Sequence, residues 1–298
     1  MDTHKKNIIM LPFNILYKIN PKLELKILFR LKQGYRLNLK HPKTFNEKLQ
    51  WIKLYDKNPL MPKCVDKYAV REYVKNVGCE DILNELYWEG FDPEQIPFDE
   101  LPDKFVIKVT HGSTFNIIVT DKSKLDIKEA IKKCKIWLKE KFLPCYGEWF
   151  YGIEKPRIIV EKYLEDNQTK GELYDYKIFC FNGNPKLVDV HCGRFGEHKR
   201  NIYDLDWNYL EEVYFKYEHF DGIEKPEKLN ELLKYAKKLS SKFNHVRVDF
   251  FIVNNKIYFG ELTFTNGAGL DTIKPYTFDL KMGNWLKLPI NKKGDYNE

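Results

Sequence analysis

The chain has 298 residues, of which 43% are hydrophobic and 31% charged, and its formal net charge is +7. This length supports one large or two modest domains with buried cores, and the absence of low-complexity tracts predicts a globular chain throughout. No stretch approaches the ~20 apolar residues of a membrane span, and the apolar run at 8–11 lacks the surroundings of a signal peptide. The six cysteines show no C-x-x-C pair and no zinc-type spacing, so we expect reduced, mostly buried thiols in a cytoplasmic protein.

The positive charge is concentrated at the N-terminus. Residues 1–40 hold nine Lys/Arg and two acids, whereas the remaining 258 residues hold 41 charges of each sign. The segment also carries apolar residues at helical intervals, namely Leu23, Ile27, Leu28 and Leu31. A basic amphipathic helix of this kind suits peripheral contact with an anionic membrane, such as the inner face of the cell membrane, or binding of an acidic partner. The alternative is a helix packed on the domain with its lysines in water. No basic patch interleaved with aromatic residues occurs elsewhere, so no nucleic-acid partner is expected.

The next part of the chain alternates between helices and short strands. Residues 43–76 are predicted to be mostly helical, because Thr44 and Glu47 form a capping-box pattern before an amphipathic run. The later predicted elements are, in chain order, a Pro- and acid-rich connector at 91–103, strands at 105–109 and 117–120, a helix at 126–142, a strand at 157–160, a hairpin of strands 174–181 and 186–191, and a helix at 226–243. Strands joined mainly by hairpins, with flanking helices, predict an α+β fold with antiparallel sheets.

The last predicted hairpin, residues 246–263, carries two acids on neighbouring strands and turns at Asn254-Asn255. A regular two-residue turn would place Asp249 opposite Gly260, and only a shifted register brings it opposite Glu261. We predict this shift, because paired carboxylates on adjacent strands suit a divalent cation held against phosphates. The alternative is a cross-strand salt-bridge cluster on a solvated face.

Other charged residues occupy strand positions where a core would have none. Lys108 ends an apolar strand beside a Gly/Ser turn, where a lysine and backbone N–H groups suit phosphate, although a surface lysine fits equally well. Asp175 and Lys177 alternate along one strand, so they share a face and can pair. Arg247 shares a face with Asp249 for the same reason. Taken one at a time, none of these positions identifies a function.

The order of these residues is more specific than any one of them. The succession resembles the ATP-grasp superfamily, and most closely its TupA-like branch, which is found in bacterial surface-polysaccharide and teichuronopeptide biosynthesis. The resemblance runs from about residue 41 to 290 and is carried by HPKTFNEKLQWIKLYDKNP (41–59), VDKYAVREYV (65–74), FVIKVTHGS (105–113), IIVEKYLED (158–166), DYKIFCFNG (175–183) and VRVDFFIVNNKIYFGELTF (246–264).

For the fold, the resemblance implies two α+β subdomains with antiparallel sheets that clasp ATP. The implied boundaries are a basic helical region at 1–64, a first subdomain with the phosphate loop at 65–164, a second subdomain with the metal site at 165–290 and a tail at 291–298. For the function, it implies an ATP- and Mg²⁺-dependent carboxylate–amine ligase that works through an acyl phosphate. Its substrates would be an amino acid or small amine and a uronic acid of a surface polysaccharide or of a lipid- or nucleotide-linked precursor.

The resemblance also implies roles for individual residues. Contacts to ATP would come from the phosphate lysines, the loop and the hinge: Lys67, Lys108, His111, Gly112, Ser113, Glu161, Lys162, Tyr163, Leu164, Asp175 and Lys177. Asp249, Glu261 and Thr263 would bind Mg²⁺. Arg247 and Lys177 would act in catalysis by stabilising charge on the transferred phosphoryl group, since such chemistry depends on positioning and electrostatics.

Two positions depart from the superfamily pattern, and two alternatives stay open. Thr263 stands where an Asn metal ligand is usual. Thr114-Phe115 place bulk where relatives have a flexible loop, which leaves open a non-catalytic scaffold with this fold. The other alternative is a glycosyltransferase of the same pathway, with Asp204-Leu205-Asp206 as its metal motif. No parallel β-α-β pattern precedes that motif, so the ligase is the favoured interpretation.

Overall fold

The computed structural model describes residues 9–112, 114–166, 173–193, 197–213, 218–220 and 222–289. The helices in these ranges are α1 (Leu11–Ile19), α2 (Pro21–Gln33), α3 (Phe45–Tyr55), α4 (Met61–Val65), α5 (Val70–Asn76), α6 (Ile127–Trp137), α7 (Leu229–Ser240) and α8 (Tyr276–Trp285). The strands are β1 (Leu86–Gly90), β2 (Phe105–Val109), β3 (Asn116–Val119), β4 (Ile158–Lys162), β5 (Asp175–Phe181), β6 (Asn184–Cys192), β7 (Lys199–Tyr203), β8 (His245–Val253) and β9 (Lys256–Thr263). Ser113 and the predicted tail at 291–298 lie outside the described residues.

The strands form two sheets, with the orders β1-β4-β2-β3 and β7-β6-β5-β8-β9. Every pairing between these strands is antiparallel. The predicted α+β class with antiparallel sheets is therefore confirmed. The predicted domain boundaries stay a prediction.

Each sheet has its own apolar core. The first sheet packs against α6 through a cluster that includes Phe105, Ile107 and Cys134. The second sheet shares a larger core with the N-terminal helices, α7 and α8, and the alternate residues Val248 and Phe250 of β8 are fully buried in it. Because side chains alternate along a strand, the opposite face of the second sheet receives the charged residues of the same strands.

Helix α3 begins where its sequence predicts. The Thr44 side chain accepts a hydrogen bond from the Glu47 backbone N–H, and the Glu47 carboxylate accepts one from the Thr44 backbone N–H. This capping box satisfies two donors at the helix N-terminus. Glu47 also accepts bonds from the N–H groups of Asn38 and Lys43, so it fixes the chain that leads into the helix.

The hairpin of β8 and β9 has the register that the two acids require. Asn254 and Asn255 both adopt positive φ values, 49° and 61°, as a tight two-residue hairpin turn needs. A bulge between Asp249 and Phe250 then brings Asp249 directly opposite Glu261. Gly260 is the extra residue, and a Cβ atom there would lie 3.0 Å from the Asp249 carbonyl oxygen. The predicted register shift is confirmed.

Helix α6 ends five residues before the predicted end at 142. The ring of Trp137, its last residue, stacks on Phe115 with a centroid distance of 5.5 Å. Beyond it, the Glu140 carbonyl is bonded to the His111 ring at 3.0 Å. The residues predicted as the last turn of the helix therefore contact the loop between β2 and β3 instead of continuing the helix.

The N-terminal region is helical, as predicted, but the expected apolar face is only partly the buried face. Leu28 is buried, whereas Leu23, Ile27 and Leu31 are exposed on α2. The buried face of α2 consists instead of Glu24, Leu25, Leu28 and Phe29. Both sets of apolar residues have helical spacing, so the sequence pattern alone does not show which set is buried. Contact with the larger core determines the buried face.

Two expectations from composition hold in the described residues. All six cysteines are buried and form no disulfide. Among the helices of the described ranges, none is long and apolar enough to cross a membrane.

Candidate active site

A row of charged residues crosses four strands of the second sheet. Asp189 on β6 pairs with Lys177 on β5, Lys177 pairs with Asp249 on β8, and Asp249 pairs with Glu261 on β9. Directly opposite residues of antiparallel strands project from the same face. The four side chains therefore lie side by side on one face of the sheet, opposite to the face that buries Val248 and Phe250.

Asp249 is the centre of a buried ionic network. Its carboxylate accepts two hydrogen bonds from Arg247, both at 2.7 Å, and a third from the Lys177 ammonium. Lys177 also contacts Asp175 at 2.7 Å, which confirms that these two residues pair. Although burial alone would raise the pKa of Asp249, the Arg247 and Lys177 cations hold that pKa below its ordinary value.

Glu261 differs from Asp249 in exposure. Its side chain is 45% exposed and lies 3.6 Å from the Arg247 guanidinium, whereas the Asp249 side chain is only 3% exposed. Arg247 NH2 also donates to the Thr263 hydroxyl at 3.1 Å. The site thus has one carboxylate already neutralised by cations and one that is turned toward solvent.

The first sheet contributes a second charged group. Lys108 contacts Glu161 at 2.7 Å, and Arg71 contacts the other Glu161 oxygen at 3.1 Å. The Lys108 side chain keeps 31% of its surface exposed, so its ammonium is accessible. Strand β4 runs through Glu161 to Lys162, two residues further than predicted, and the Glu161 carboxylate is committed to these cations.

Lys67 joins the charged groups of the two sheets. Its ammonium donates to the Gly112 carbonyl at 2.6 Å, so it contacts the loop between β2 and β3. Burial lowers the pKa of Lys67, and the field of the Glu261 carboxylate from the second sheet partly offsets this change. The Lys108 cation lowers the pKa of Lys67 as well, and the Glu161 carboxylate raises it. Acids of both sheets, Glu161 and Glu261, therefore influence the pKa of Lys67.

The loop between β2 and β3 is held by aromatic contacts. A Cβ atom on Gly112 would lie 1.9 Å from the Phe115 ring, so only glycine fits beneath it. Thr114 adopts a positive φ of 67°, which is uncommon for a non-glycine residue. His111 is 7% exposed and binds the Glu140 carbonyl, so here it anchors the loop. Ser113 lies outside the described residues.

Comparison with known families decides the identity of the fold. Residues 47–287 match the family model described as TupA-like ATPgrasp. The chain belongs to the TupA-like ATP-grasp family. The predicted family and ATP-grasp fold are confirmed, and the expectation of an ATP-grasp enzyme is confirmed at the level of the family.

Solved structures with similar folds are distant. The D-alanine–D-alanine ligase of Bacillus anthracis is 17% identical with a TM-score of 0.43, over 75% of this chain and 66% of that one. The L-amino acid ligase of Bacillus licheniformis is 12% identical with a TM-score of 0.48, over 85% of this chain and 57% of that one. The ATP-grasp chain thus spans less than two thirds of either ligase. No curated protein sequence matches it significantly.

Strand β4 includes the first two residues of the predicted hinge. The Lys162 N–H donates to the Glu85 carbonyl at 3.0 Å, and the Lys162 carbonyl accepts a bond from the Asn84 amide at 2.8 Å. Both backbone groups of Lys162 therefore have partners within the protein. Tyr163 and Leu164 follow the strand, and the contact of residues 161–164 with ATP stays a prediction.

The donor set of the second sheet fits a magnesium ion. Asp249 and Glu261 supply carboxylate oxygens from opposed strands, and Thr263 adds a hydroxyl from the same strand as Glu261. Magnesium is usually held by one or two carboxylates together with phosphate oxygens and water, so a larger protein cage is not required. No group of three or more His, Cys, Asp or Glu side chains that could hold a metal ion occurs in the described ranges.

Several residues of the site were not predicted from the sequence. Asn266 accepts a hydrogen bond from Arg247 NH1, and Arg71 binds Glu161. At the other end of the row, Arg200 binds Asp189 through two nitrogens, at 2.7 and 2.5 Å, and His191 contacts the same carboxylate at 3.1 Å. The alternation of Asp189 and His191 on one strand was the only local signal for this cluster.

The glycosyltransferase alternative loses its one supporting feature, the Asp204-Leu205-Asp206 motif. Asp204 accepts hydrogen bonds from the backbone N–H groups of Asp206 and Asn208, at 3.0 and 2.8 Å, so its carboxylate shapes a turn. Asp206 belongs to the same turn. In the described ranges both sheets are entirely antiparallel, and a nucleotide-sugar fold with parallel strands is not found there.

Proposed function

We propose that this ATP-grasp chain is an ATP- and Mg²⁺-dependent carboxylate–amine ligase. The observation that carries the proposal is the row of Lys177, Asp249 and Glu261 on one face of the second sheet, in a chain whose residues 47–287 match the ATP-grasp family. A cation beside a pair of carboxylates suits a nucleotide triphosphate and its metal ion.

The proposed reaction has two steps. A carboxylate oxygen of the first substrate attacks the γ-phosphorus of ATP, and the bond to the ADP oxygen breaks. The amine of the second substrate then attacks the acyl carbon, inorganic phosphate leaves, and the nitrogen loses a proton. The products are an amide, ADP and phosphate.

The residues supply electrostatic stabilisation for these steps. Lys67 and Lys108 bind phosphate oxygens, and Lys67 holds the Gly112 loop next to them. Arg247 and Lys177 stabilise negative charge that develops on the transferred phosphoryl group, a task that needs fixed cations and no activated nucleophile. Asp249, Glu261 and Thr263 hold Mg²⁺, which neutralises phosphate charge when it is bound.

The proposed substrates are an amino acid or small amine and a uronic acid of a bacterial surface polysaccharide or its precursor. The resemblance to the TupA-like family supports this class, and the Arg200 guanidinium, paired with Asp189, adds a cation beside the row. The expected cytoplasmic location stays a prediction. A scaffold without turnover is the second candidate, because Phe115 and Thr114 fix the loop that would cover the phosphates.

The proposal is tested by ADP release with pairs of uronic acids and amino acids, using carboxylate labelled with ¹⁸O. We expect ADP release that needs both substrates and transfer of one ¹⁸O atom into phosphate. ATP binding without ADP release from any pair would support the scaffold instead. Hydrolysis of a UDP-sugar without ATP consumption would support a glycosyltransferase.

A further inference from the structure

The two N-terminal helices expose an unusual amount of aliphatic surface. Of the fourteen large apolar side chains that are exposed in the described residues, seven lie between Ile9 and Leu31. Six of them form two stripes at four-residue spacing: Leu11, Ile15 and Ile19 on α1, and Leu23, Ile27 and Leu31 on α2. Residues four apart lie on one face of a helix, so each helix presents a continuous aliphatic face to solvent. These six residues are called the aliphatic stripes below.

The charges around the aliphatic stripes all have one sign. Between residues 9 and 40 the exposed charged side chains are Lys18, Lys22, Lys26, Arg30, Lys32, Arg36 and Lys40. The one acid in this range, Glu24, is fully buried, and burial raises its pKa to about 7. The surface therefore combines apolar side chains with cations and has no exposed carboxylate in this range.

The aliphatic stripes stand on a rigid base. On α2 the opposite face is buried, and its Leu25 and Phe29 lie in the core of the second sheet. Helix α1 has no buried residue of its own, packs against α2, and its Asn14 side chain accepts a hydrogen bond from the Cys145 N–H at 3.0 Å. The aliphatic stripes are therefore exposed to solvent without any rearrangement of the core.

We propose that α1 and α2 form a docking surface for an anionic phospholipid bilayer. Aliphatic side chains enter the boundary between headgroups and acyl chains, while lysines extend to the lipid phosphates on their long stems. The negative surface potential of an anionic bilayer attracts basic residues that lie close to it. The helices lie on the membrane, and the active site on the second sheet stays in the aqueous phase.

The composition of the surface favours lipid over a protein partner. Protein interfaces are enriched in aromatic residues and depleted of lysine. The aliphatic stripes contain only leucine and isoleucine, and lysines make up five of the seven exposed charges beside them. Membrane-surface helices typically have this combination of aliphatic and lysine faces.

The test is co-sedimentation of the full chain with vesicles of equimolar phosphatidylglycerol and phosphatidylcholine, compared with phosphatidylcholine alone. We expect binding to the anionic vesicles and much weaker binding to the neutral ones. Ile19→Gln combined with Leu31→Gln should weaken the binding about tenfold or more, since both side chains lose their apolar surface. Lys22→Gln combined with Lys26→Gln should weaken it about 30-fold at low salt, from about fivefold per lysine.

Matched control variants distinguish binding through this surface from nonspecific binding to vesicles. Ile136→Gln with Ile153→Gln removes two other exposed aliphatic residues, at 50% and 57% exposure, and Lys128→Gln with Lys132→Gln removes exposed lysines of α6. Both control pairs should bind vesicles like the wild type. The proposal is overturned if the wild type does not bind, if the control pairs lose binding equally, or if sedimentation velocity shows self-association through the stripes without vesicle binding. None of these assays requires ATP turnover, so the outcome is independent of the proposed ligase reaction.

Discussion

The two acids of the predicted metal pair should respond differently to neutralisation. Asp249 is 2% exposed and is contacted by Arg247 and Lys177, whereas the Glu261 side chain is 45% exposed and lies 3.6 Å from Arg247. We predict that Asp249→Asn lowers both stability and activity. Glu261→Gln should lower activity alone.

The magnitude follows from the contacts. Removing one partner of a buried ion pair costs about 3–5 kcal/mol, because the remaining charge stays buried without compensation. Asp175 still pairs with Lys177, and an asparagine oxygen still accepts one bond from Arg247, so we expect about 2–4 kcal/mol for Asp249→Asn. At roughly 2–4 °C per kcal/mol, the melting temperature should fall by about 5–15 °C. For Glu261→Gln, an exposed and longer contact predicts a change below about 0.5 kcal/mol.

Differential scanning fluorimetry at pH 7 measures the stability difference, and ADP release measures the activity. The account predicts a large fall in melting temperature for Asp249→Asn, almost none for Glu261→Gln, and loss of ATP turnover in both. An unchanged melting temperature for Asp249→Asn would refute the buried network. Full turnover by Glu261→Gln would refute its assignment to the metal.

Three further predictions concern the surroundings of the site. In urea unfolding, Glu24→Gln should stabilise the protein by about 1–3 kcal/mol at pH 8 and hardly at all at pH 4.5. Burial raises the pKa of Glu24 to about 7 in the folded state, so the wild type loses stability as the pH rises from 4.5 to 7. Equal stabilisation at both pH values would contradict this prediction. Phe115→Ala should cost about 1 kcal/mol of stability and speed hydrogen exchange at 111–116, since the stack on Trp137 is lost; unchanged exchange would show that the stack does not hold the loop. Gly283→Ala should destabilise the fold by about 1–3 kcal/mol in urea, because its Cβ would lie 2.0 Å from the Lys43 carbonyl, whereas Gly222→Ala, with its nearest atom at 3.7 Å, is the neutral control.

The sequence predicts best where a local rule is strict. Alternation along the strand placed Lys177 with Asp175. The capping box located the start of α3. Both depend on residues close in sequence, so the pattern contains the whole constraint. The bulge was predicted on a different ground, because a regular two-residue turn would place Asp249 opposite Gly260 and only a shift lets the two carboxylates share a cation.

Features that depend on distant contacts could not be predicted. Arg71 and Lys108 meet on Glu161, 90 and 53 residues away, and no local pattern connects them. On α2, the set with Leu23 and Ile27 and the set with Leu25 and Phe29 both have helical spacing, and only tertiary packing shows which set is buried. The end of α6 was misjudged because Trp137 stacks on a loop more than twenty residues earlier.

The most direct test of the central claim is a thermal-shift titration with ATP and Mg²⁺ on the wild type, Lys108→Ala and the control Lys104→Ala, which removes an exposed lysine of the same subdomain. A ligand that binds only the folded state stabilises it by about 2.7 kcal/mol at a hundredfold excess over its Kd. The account predicts a magnesium-dependent rise in melting temperature with ATP in the wild type and in Lys104→Ala, and loss of that rise in Lys108→Ala. A rise with UDP-sugars and none with ATP would contradict the account.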